Sequence, residues 1–307
     1  MTKFEMDNNK ILVSIVGATA SGKTAIAIKL AQYFNTEIIS ADSRQFYREL
    51  EIGTAKPSKD ELQQAIHHFI NNKSIVETYS AGDFEKEALM KLDELFLKHD
   101  IVILTGGSGM YIDALCKGFD QLPKVDTYIR ELIISRYEKE GIGFLQNEIK
   151  KNDPDYFYKV DSNNPQRLMR ALEVIEATGK TFTSYLLQQN SARKFKVVTL
   201  GLKWDRNDLY ERINSRVDMM IAQGLEKEVR SNLEYRNQYA LKTVGYSEFF
   251  DYIDGKQDMQ STVNLIKQHT RNFAKRQLTW FRRNADTIWV DALNEKAIFD
   301  TLKSTFE

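Results

Sequence analysis

Gly17-Ala18-Thr19-Ala20-Ser21-Gly22-Lys23-Thr24 fits the phosphate-loop pattern G-x-x-x-x-G-K-[ST]. Its surroundings decide the fold. Ile11-Leu12-Val13-Ser14-Ile15-Val16, just before it, is an apolar, β-branched run that reads as a buried strand. Ala25-Ile26-Ala27-Ile28-Lys29-Leu30-Ala31, just after it, reads as a helix. Between strand and helix, the backbone N–H groups of residues 17–22 turn inward and the helix N-terminus adds its positive dipole end. Lys23 adds a point charge, and Thr24 offers a hydroxyl to Mg²⁺. Such a cradle suits a diphosphate or a longer phosphate chain. It does not say which molecule carries the phosphates.

Working outward, four more segments read as buried strands: Glu37-Ile38-Ile39-Ser40, Ile101-Val102-Ile103-Leu104, Val197–Leu202 and Thr287-Ile288-Trp289-Val290. Helical stretches separate them, at about 83–98 and, later, at 207–223, 225–236 and 259–283. The expected fold is α/β, a P-loop-type parallel sheet with helices on both faces. Ligands of such sheets bind at the carboxyl ends of the strands, which groups residues 17–24, 40–43 and 105–108 around one crevice. The third and fourth strands are about ninety residues apart, too many for an ordinary crossover. Helices are predicted there at 127–140, 143–150 and 165–178, with Asp153-Pro154 and Asn163-Asn164-Pro165 as start signals. We therefore expect an inserted all-helical subdomain at 118–195, hinged near Gly118 and Ala192. The catalytic core is then discontinuous, 1–117 with 196–307.

Composition narrows the class. The 307 residues are 42% hydrophobic and 28% charged, an ordinary globular profile that argues against disorder. Lys+Arg and Asp+Glu are both 43, so net charge favours no polyanionic partner and only local clusters can. The single cysteine, Cys116, excludes an intrachain disulfide and a Cys-rich zinc site. His67, His68, His99 and His269 have no metal-ligand spacing and read as structural or surface histidines. No basic-then-apolar leader opens the chain and no apolar run approaches ~18 residues, so a cytoplasmic protein without a membrane partner is expected.

Asp42 directly follows the second strand, in Ser40-Ala41-Asp42-Ser43-Arg44-Gln45. Its carboxylate could hold Mg²⁺ through water, take a proton from an attacking group, or cap the next helix. The third strand is followed by Thr105-Gly106-Gly107-Ser108-Gly109, where many ATPases carry a metal-binding Asp. Glycines there allow close backbone approach to a ligand but supply no carboxylate. Residues 270–283, Thr270 to Arg283, hold five cations and no acid, with Phe273, Gln277 and Trp280 on a different helical face from Arg271, Lys275 and Arg282. That pattern suits a phosphate backbone with a stacked base, and equally a solvated amphipathic helix whose aromatics belong to the core. Arg212 and Arg216, four apart, either reach the crevice or pair with Asp208 and Glu211. A small-molecule kinase would share the loop and Asp42, but has no need of the insertion or the basic-aromatic segment.

Taken in order, these motifs resemble the tRNA dimethylallyltransferases, or tRNA isopentenyltransferases. The phosphate loop and Asp42-Ser43 are followed by Glu51-Ile52-Gly53-Thr54-Ala55-Lys56-Pro57, where Asp is typical in place of Glu51, and by Tyr79-Ser80-Ala81-Gly82-Asp83-Phe84. Gly106-Gly107-Ser108-Gly109-Met110-Tyr111 comes next, with Ser108 where Thr is usual. Asn164-Pro165-Gln166-Arg167-Leu168-Met169-Arg170-Ala171-Leu172-Glu173, Val244-Gly245-Tyr246 and Ala274-Lys275-Arg276-Gln277-Leu278-Thr279-Trp280 complete the series. The resemblance covers about residues 10–290, and the lack of a C-terminal zinc finger points to the bacterial type.

The resemblance implies transfer of a dimethylallyl group from dimethylallyl diphosphate to N6 of the adenosine beside the anticodon, in tRNAs reading codons that begin with U. It implies Mg²⁺ as cofactor and a monomeric enzyme that grips the anticodon stem-loop. Lys23, Thr19, Asp42 and Arg216 are the implied catalytic residues, with Gly17, Ala18, Thr19, Ala20, Ser21, Gly22, Lys23 and Thr24 on the diphosphate and Thr24 on the metal. Asp42, Ser43, Arg44, Gln45, Ser108, Arg130, Gln166, Arg167, Leu168, Met169 and Arg170 are the implied tRNA contacts.

Overall fold

Six strands form one parallel sheet: β1 (Ile11–Val16), β2 (Ile38–Ser40), β3 (His67–His68), β4 (Ile101–Thr105), β5 (Lys196–Lys203) and β6 (Ile288–Asp291), in the order β3-β2-β4-β1-β5-β6. The computed structural model describes residues 10–118, 122–186 and 193–306. Ala192, expected at a hinge, lies outside them. The central strand β1 pairs with β4 through Ile11↔Ile101 to Ile15↔Thr105 and with β5 through Ile11↔Lys196 to Val16↔Gly201. Side-chain alternation explains the unbroken apolar runs. Leu12, Val16, Ile39, Val102 and Leu104 join one core; Val13, Ile15, Ile38, Ile103, Val198 and Leu200 join a second on the opposite face. The fold is α/β, as expected. The sequence reading missed only β3, a two-residue edge strand without a β-branched run.

The described residues divide into two compact units. One runs to Cys116 and resumes at Arg193; the other runs from Lys117 to Leu186. Phe195, read as the end of the insertion, packs in the first unit's core. The second unit is all helical. Its helices Thr127–Glu140, Ile142–Asn152 and Pro165–Thr178 bury Ile133, Leu145, Ile149, Leu168 and Leu172 against one another. Asn164 caps the last of these, accepting from the Arg167 N–H at 3.3 Å, and Pro165 stands in its first turn, where a missing N–H costs nothing.

In the first unit, β5 and β6 are joined mainly by the helices Arg206–Ala222, Leu225–Ser231, Tyr246–Ile253 and Met259–Phe281. The last ends two residues before the predicted Arg283. A core of Leu225, Val229, Tyr246, Phe249 and Ile266 holds these helices together and takes in Tyr47 and Leu50 from the segment after β2. Here two of the family-like motifs meet. The Tyr246 ring lies so close to Gly53 that a Cβ there would fall 2.5 Å from it. Glu228 ties both, accepting from the N–H groups of Glu51, Ile52 and Gly53 at 3.0, 2.7 and 3.0 Å and from the Tyr246 hydroxyl at 2.5 Å.

All four histidines have partners. His68 meets Glu37 at 2.6 Å, His99 the same carboxylate at 3.5 Å, His269 Glu248 at 2.6 Å and His67 the Ala65 carbonyl at 2.9 Å. Among the described residues no cluster of His, Cys, Asp and Glu is placed to hold a metal, and no helix is long and apolar enough to cross a membrane.

The carboxylate of Glu228 collects three backbone donors and one hydroxyl, so its removal strands several groups at once. Glu228→Ala is expected to cost about 2–4 kcal/mol and Tyr246→Phe about 1 kcal/mol in urea unfolding. Equal, sub-kilocalorie effects would show that this loop is held by packing alone.

Candidate active site

Three loops converge at the carboxyl ends of β1, β2 and β4. Strand β1 lies between β4 and β5; the chain leaves β1 toward β2 on one side, and leaves β4 to return at β5 on the other. That reversal opens a crevice above the sheet. In the phosphate loop Ala20 and Gly22 adopt left-handed conformations, φ 62° and 86°. The helix Lys23–Tyr33 starts immediately afterwards. Lys23 Nζ donates to the Ala18 carbonyl at 2.7 Å. Burial lowers the Lys23 pKa to about 8; Asp42 acts to raise it and Arg216 to lower it further.

Asp42 leads the turn after β2. The Arg44 N–H donates to its carboxylate at 3.1 Å, the helix-cap-like use that was one of its three readings. This turn is sewn to the β4 loop: the Ala41 N–H donates to Thr105 O at 2.7 Å, and Ser108 Oγ accepts from the Ser43 N–H and donates to Ser43 Oγ, both at 2.9 Å. Gln45 reaches the Thr54 and Ala55 carbonyls at 3.2 Å each. Arg216 donates to Thr19 Oγ1 and to Ala55 O, both at 3.4 Å, so it faces the crevice rather than pairing with Glu211. Burial lowers its pKa, while Asp42 opposes the shift. Arg212 donates to Ala20 O at 2.9 Å and lies 4.4 Å above the Trp204 ring, whose N–H donates to Ser21 O at 3.0 Å.

Gln277 spans the crevice. It accepts from the Thr19 N–H and donates to Gly107 O, both at 2.8 Å, and is 5% exposed. A Cβ on Gly107 would fall 2.6 Å from the Gln277 amide nitrogen and 3.2 Å from Asp42 Oδ2, so the three groups meet at one point. Sequence reading placed Gln277 beside the aromatics but did not find this bridge. An uncharged amide among the cations of 270–283 was the available signal, one that Asn272 shares. Glu228 and Trp204 carried no signal at all, and Ala55 was marked only as part of the Glu51–Pro57 motif. The basic-aromatic segment is amphipathic: Ala274, Gln277 and Phe281 are buried and Trp280 packs against the core, whereas Phe273, Lys275, Arg276, Arg282 and Arg283 are exposed. Trp280 donates to Asp113 at 2.8 Å.

The implied tRNA contacts of the helical unit have their own geometry. Arg130 and Arg170 both pair with the buried Glu173, at 3.2 and 3.1 Å. Gln166 and Arg167 are exposed. Leu168 and Met169 are buried, and their side chains pack inside that unit rather than on its surface.

A cradle of backbone donors with two half-buried cations can hold a diphosphate, and a carboxylate beside it can accept a proton. A sequence model described as IPP transferase matches residues 45–284. The chain belongs to the IPP transferase family. It is 50% identical to a tRNA dimethylallyltransferase of Christiangramia forsetii over 95% of this chain and 97% of that one. For the corresponding protein of Flavobacterium johnsoniae the figures are 48%, 96% and 99%. A solved full-length tRNA isopentenylpyrophosphate transferase of Bacillus halodurans matches with TM-score 0.72 and 32% identity over 97% of both chains. A eukaryotic dimethylallyltransferase acting on tRNA matches with TM-score 0.79 and 27% identity, over 96% of this chain and 77% of that one.

Because Gln277 satisfies one N–H and one C=O in the buried wall of this family's crevice, Gln277→Leu should remove both bonds without emptying the space. The expected cost is about 1–3 kcal/mol in stability, with a weaker affinity for diphosphate by isothermal titration calorimetry. Unaltered diphosphate binding would mean that the phosphate loop holds its shape without the bridge.

Proposed function

We propose that the chain is a tRNA dimethylallyltransferase. It transfers a dimethylallyl group from dimethylallyl diphosphate to N6 of the adenosine on the 3′ side of the anticodon, in tRNAs reading codons that begin with U, and releases diphosphate. One observation carries the reading: a phosphate loop and the Asp42 carboxylate share one crevice, in a chain half identical to an enzyme named for this reaction over nearly its full length. The enzyme is read as monomeric and cytoplasmic.

The chemistry follows from charge. As the allylic C–O bond breaks, its electron pair moves onto the bridging oxygen of the diphosphate. Lys23, Arg216 and the loop N–H groups not already bonded to Gln277 or Ala18 stabilise that charge most in the transition state, when it is largest. Thr19, bonded to both Gln277 and Arg216, orients the leaving group. The adenine amine is a weak nucleophile because its lone pair is shared with the ring. Its attack on the allylic carbon needs positioning and a proton acceptor, and Asp42 takes the N6 proton. The target base leaves the stack of its loop to reach Asp42. Ser43, Arg44, Gln45 and Ser108 line its approach; Arg130, Gln166, Arg167 and Arg170 hold the stem-loop, with Leu168 and Met169 supporting them from the core.

Magnesium fits as a companion of the diphosphate. No metal-binding cluster stands among the described residues, whereas Thr24 supplies one hard oxygen beside a phosphate cradle, and Mg²⁺ keeps waters and phosphate oxygens as its other ligands. Bound there, it would add positive charge opposite the departing oxygens.

Asp42→Asn should lower kcat by about 10²–10⁴-fold with tRNA affinity kept, by single-turnover assay and filter binding. A variant turning over at the wild-type rate would remove Asp42 as the base. Lys23 supplies a pH signature. Its protonated form attracts the donor, and its pKa in the free enzyme is about 8. Affinity for dimethylallyl diphosphate is therefore full below that pKa and falls about tenfold per pH unit above it. Lys23→Ala should bind weakly with no such break; a break retained in this variant assigns the titration elsewhere.

A further inference from the structure

Tyr239 opens the short turn of 3₁₀ helix Tyr239–Leu241 and is 68% exposed. Its two neighbours in that turn, Ala240 and Leu241, are buried at 2% and 0%, so the backbone that carries it is anchored. The ring is oriented as well: the guanidinium carbon of Arg44 lies 4.6 Å from its centroid. Arg44 belongs to the Asp42–Gln45 turn, and its own N–H donates to the Asp42 carboxylate. One Arg44 nitrogen, Nη1, is buried without a hydrogen-bond partner among the described residues, so the contact with the ring does not arise from a polar network already satisfied. Tyr239 thus offers solvent an aromatic surface, oriented by the side chain of Arg44, whose backbone belongs to the Asp42–Gln45 turn.

We infer that Tyr239 is an RNA-binding residue whose exposed ring stacks on the nucleotide next to the acceptor adenosine. The inference rests on the proposed function. Turning one base out of a single-stranded loop leaves the flanking base with a bare face. An aromatic ring backed by a guanidinium is a ready replacement for the lost stacking partner. Such contact is tolerant of base identity, because every base has a π-face, and it acts on binding of the loop rather than on the bond-making step.

The test uses the full chain and an unmodified anticodon stem-loop carrying 2-aminopurine next to the acceptor adenosine, with wild type, Tyr239→Phe, Tyr239→Leu and Tyr239→Ala. Stacking on an aromatic ring quenches the probe. Wild type and Tyr239→Phe should quench it equally. Tyr239→Leu and Tyr239→Ala should leave it bright and raise KM for the stem-loop by ~5–100-fold with kcat little changed. Melting temperatures should match across the set, since the side chain is largely exposed. Full quenching and unchanged KM in Tyr239→Ala would overturn the inference, as would a Tyr239→Phe variant as impaired as Tyr239→Ala, which would assign the effect to the hydroxyl. Failure of wild type to prenylate the unlabelled stem-loop would be a different result, overturning the proposed function itself.

Discussion

The buried amide of Gln277 is the contact on which the crevice depends. Beyond the ends of β1 and β4 no ladder holds the two loops together, and both turn inward where water is scarce. Their polar groups must find partners or lose free energy. A carboxamide is the fitting partner, because it has an acceptor for the Thr19 N–H and a donor for Gly107 O in one rigid plane. Asn has the same chemistry with a shorter reach, and a carboxylate would set charge beside a carbonyl oxygen. The bridge also links distant parts of the chain, since Gln277 lies 258 residues from Thr19. The helix Met259–Phe281 therefore shapes a cradle whose motif stands near the start of the chain.

Around that bridge the charges are arranged for an anion. Lys23 and Arg216 are both buried enough to have lowered pKa values, and Asp42 acts on each in the opposite sense. Arg212 adds a third cation and Glu61 a second carboxylate to the charges acting on Arg216, so cations outnumber carboxylates around the crevice before any ligand enters. The cost of keeping those cations from water is met during folding, so the groups need little reorganisation when negative charge develops. Lys23 rests meanwhile on the Ala18 carbonyl, a neutral acceptor and so a weaker partner for an ammonium than an anionic oxygen would be. Glycine at position 107 completes the arrangement, because a side chain there would displace either Gln277 or Asp42.

Most of the sheet was legible because buried parallel strands write themselves as apolar runs. β1, β2, β4, β5 and β6 all did so, within a residue or two at their ends. The helices Thr127–Glu140 and Pro165–Thr178 were legible to the residue, the second because Asn164 and Pro165 mark its start. β3 was not, since two histidines on a sheet edge carry no hydrophobic period. Strand order was hidden too, as it depends on contacts far apart in sequence. In the crevice, residues belonging to short motifs, such as Lys23 and Asp42, could be found by pattern. Glu228 could not. It acts through backbone N–H groups of Glu51, Ile52 and Gly53, and a backbone partner leaves no trace in residue type. The amphipathic character of the helix Met259–Phe281 explains why two readings of it are open from sequence: Lys275 and Arg276 face solvent while Ala274, Gln277 and Phe281 face the core.

The helical unit shows how a neutral-on-average chain can still present fixed cations. Arg130 and Arg170 come from different helices and converge on Glu173, which is 2% exposed. A carboxylate so buried is tolerable only when it is paired, and two guanidiniums divide that task. Each guanidinium has five donors, so pairing with one carboxylate leaves others available. The arginines themselves remain 53% and 38% exposed at their side chains. Glu173 thus lowers the entropy that two long side chains would lose on meeting a phosphate, while part of their charge still reaches solvent. Leu168 and Met169 complete the device from beneath: their burial fixes the helix that carries Arg167 and Arg170, so apolar residues inside a basic motif serve the geometry of their charged neighbours.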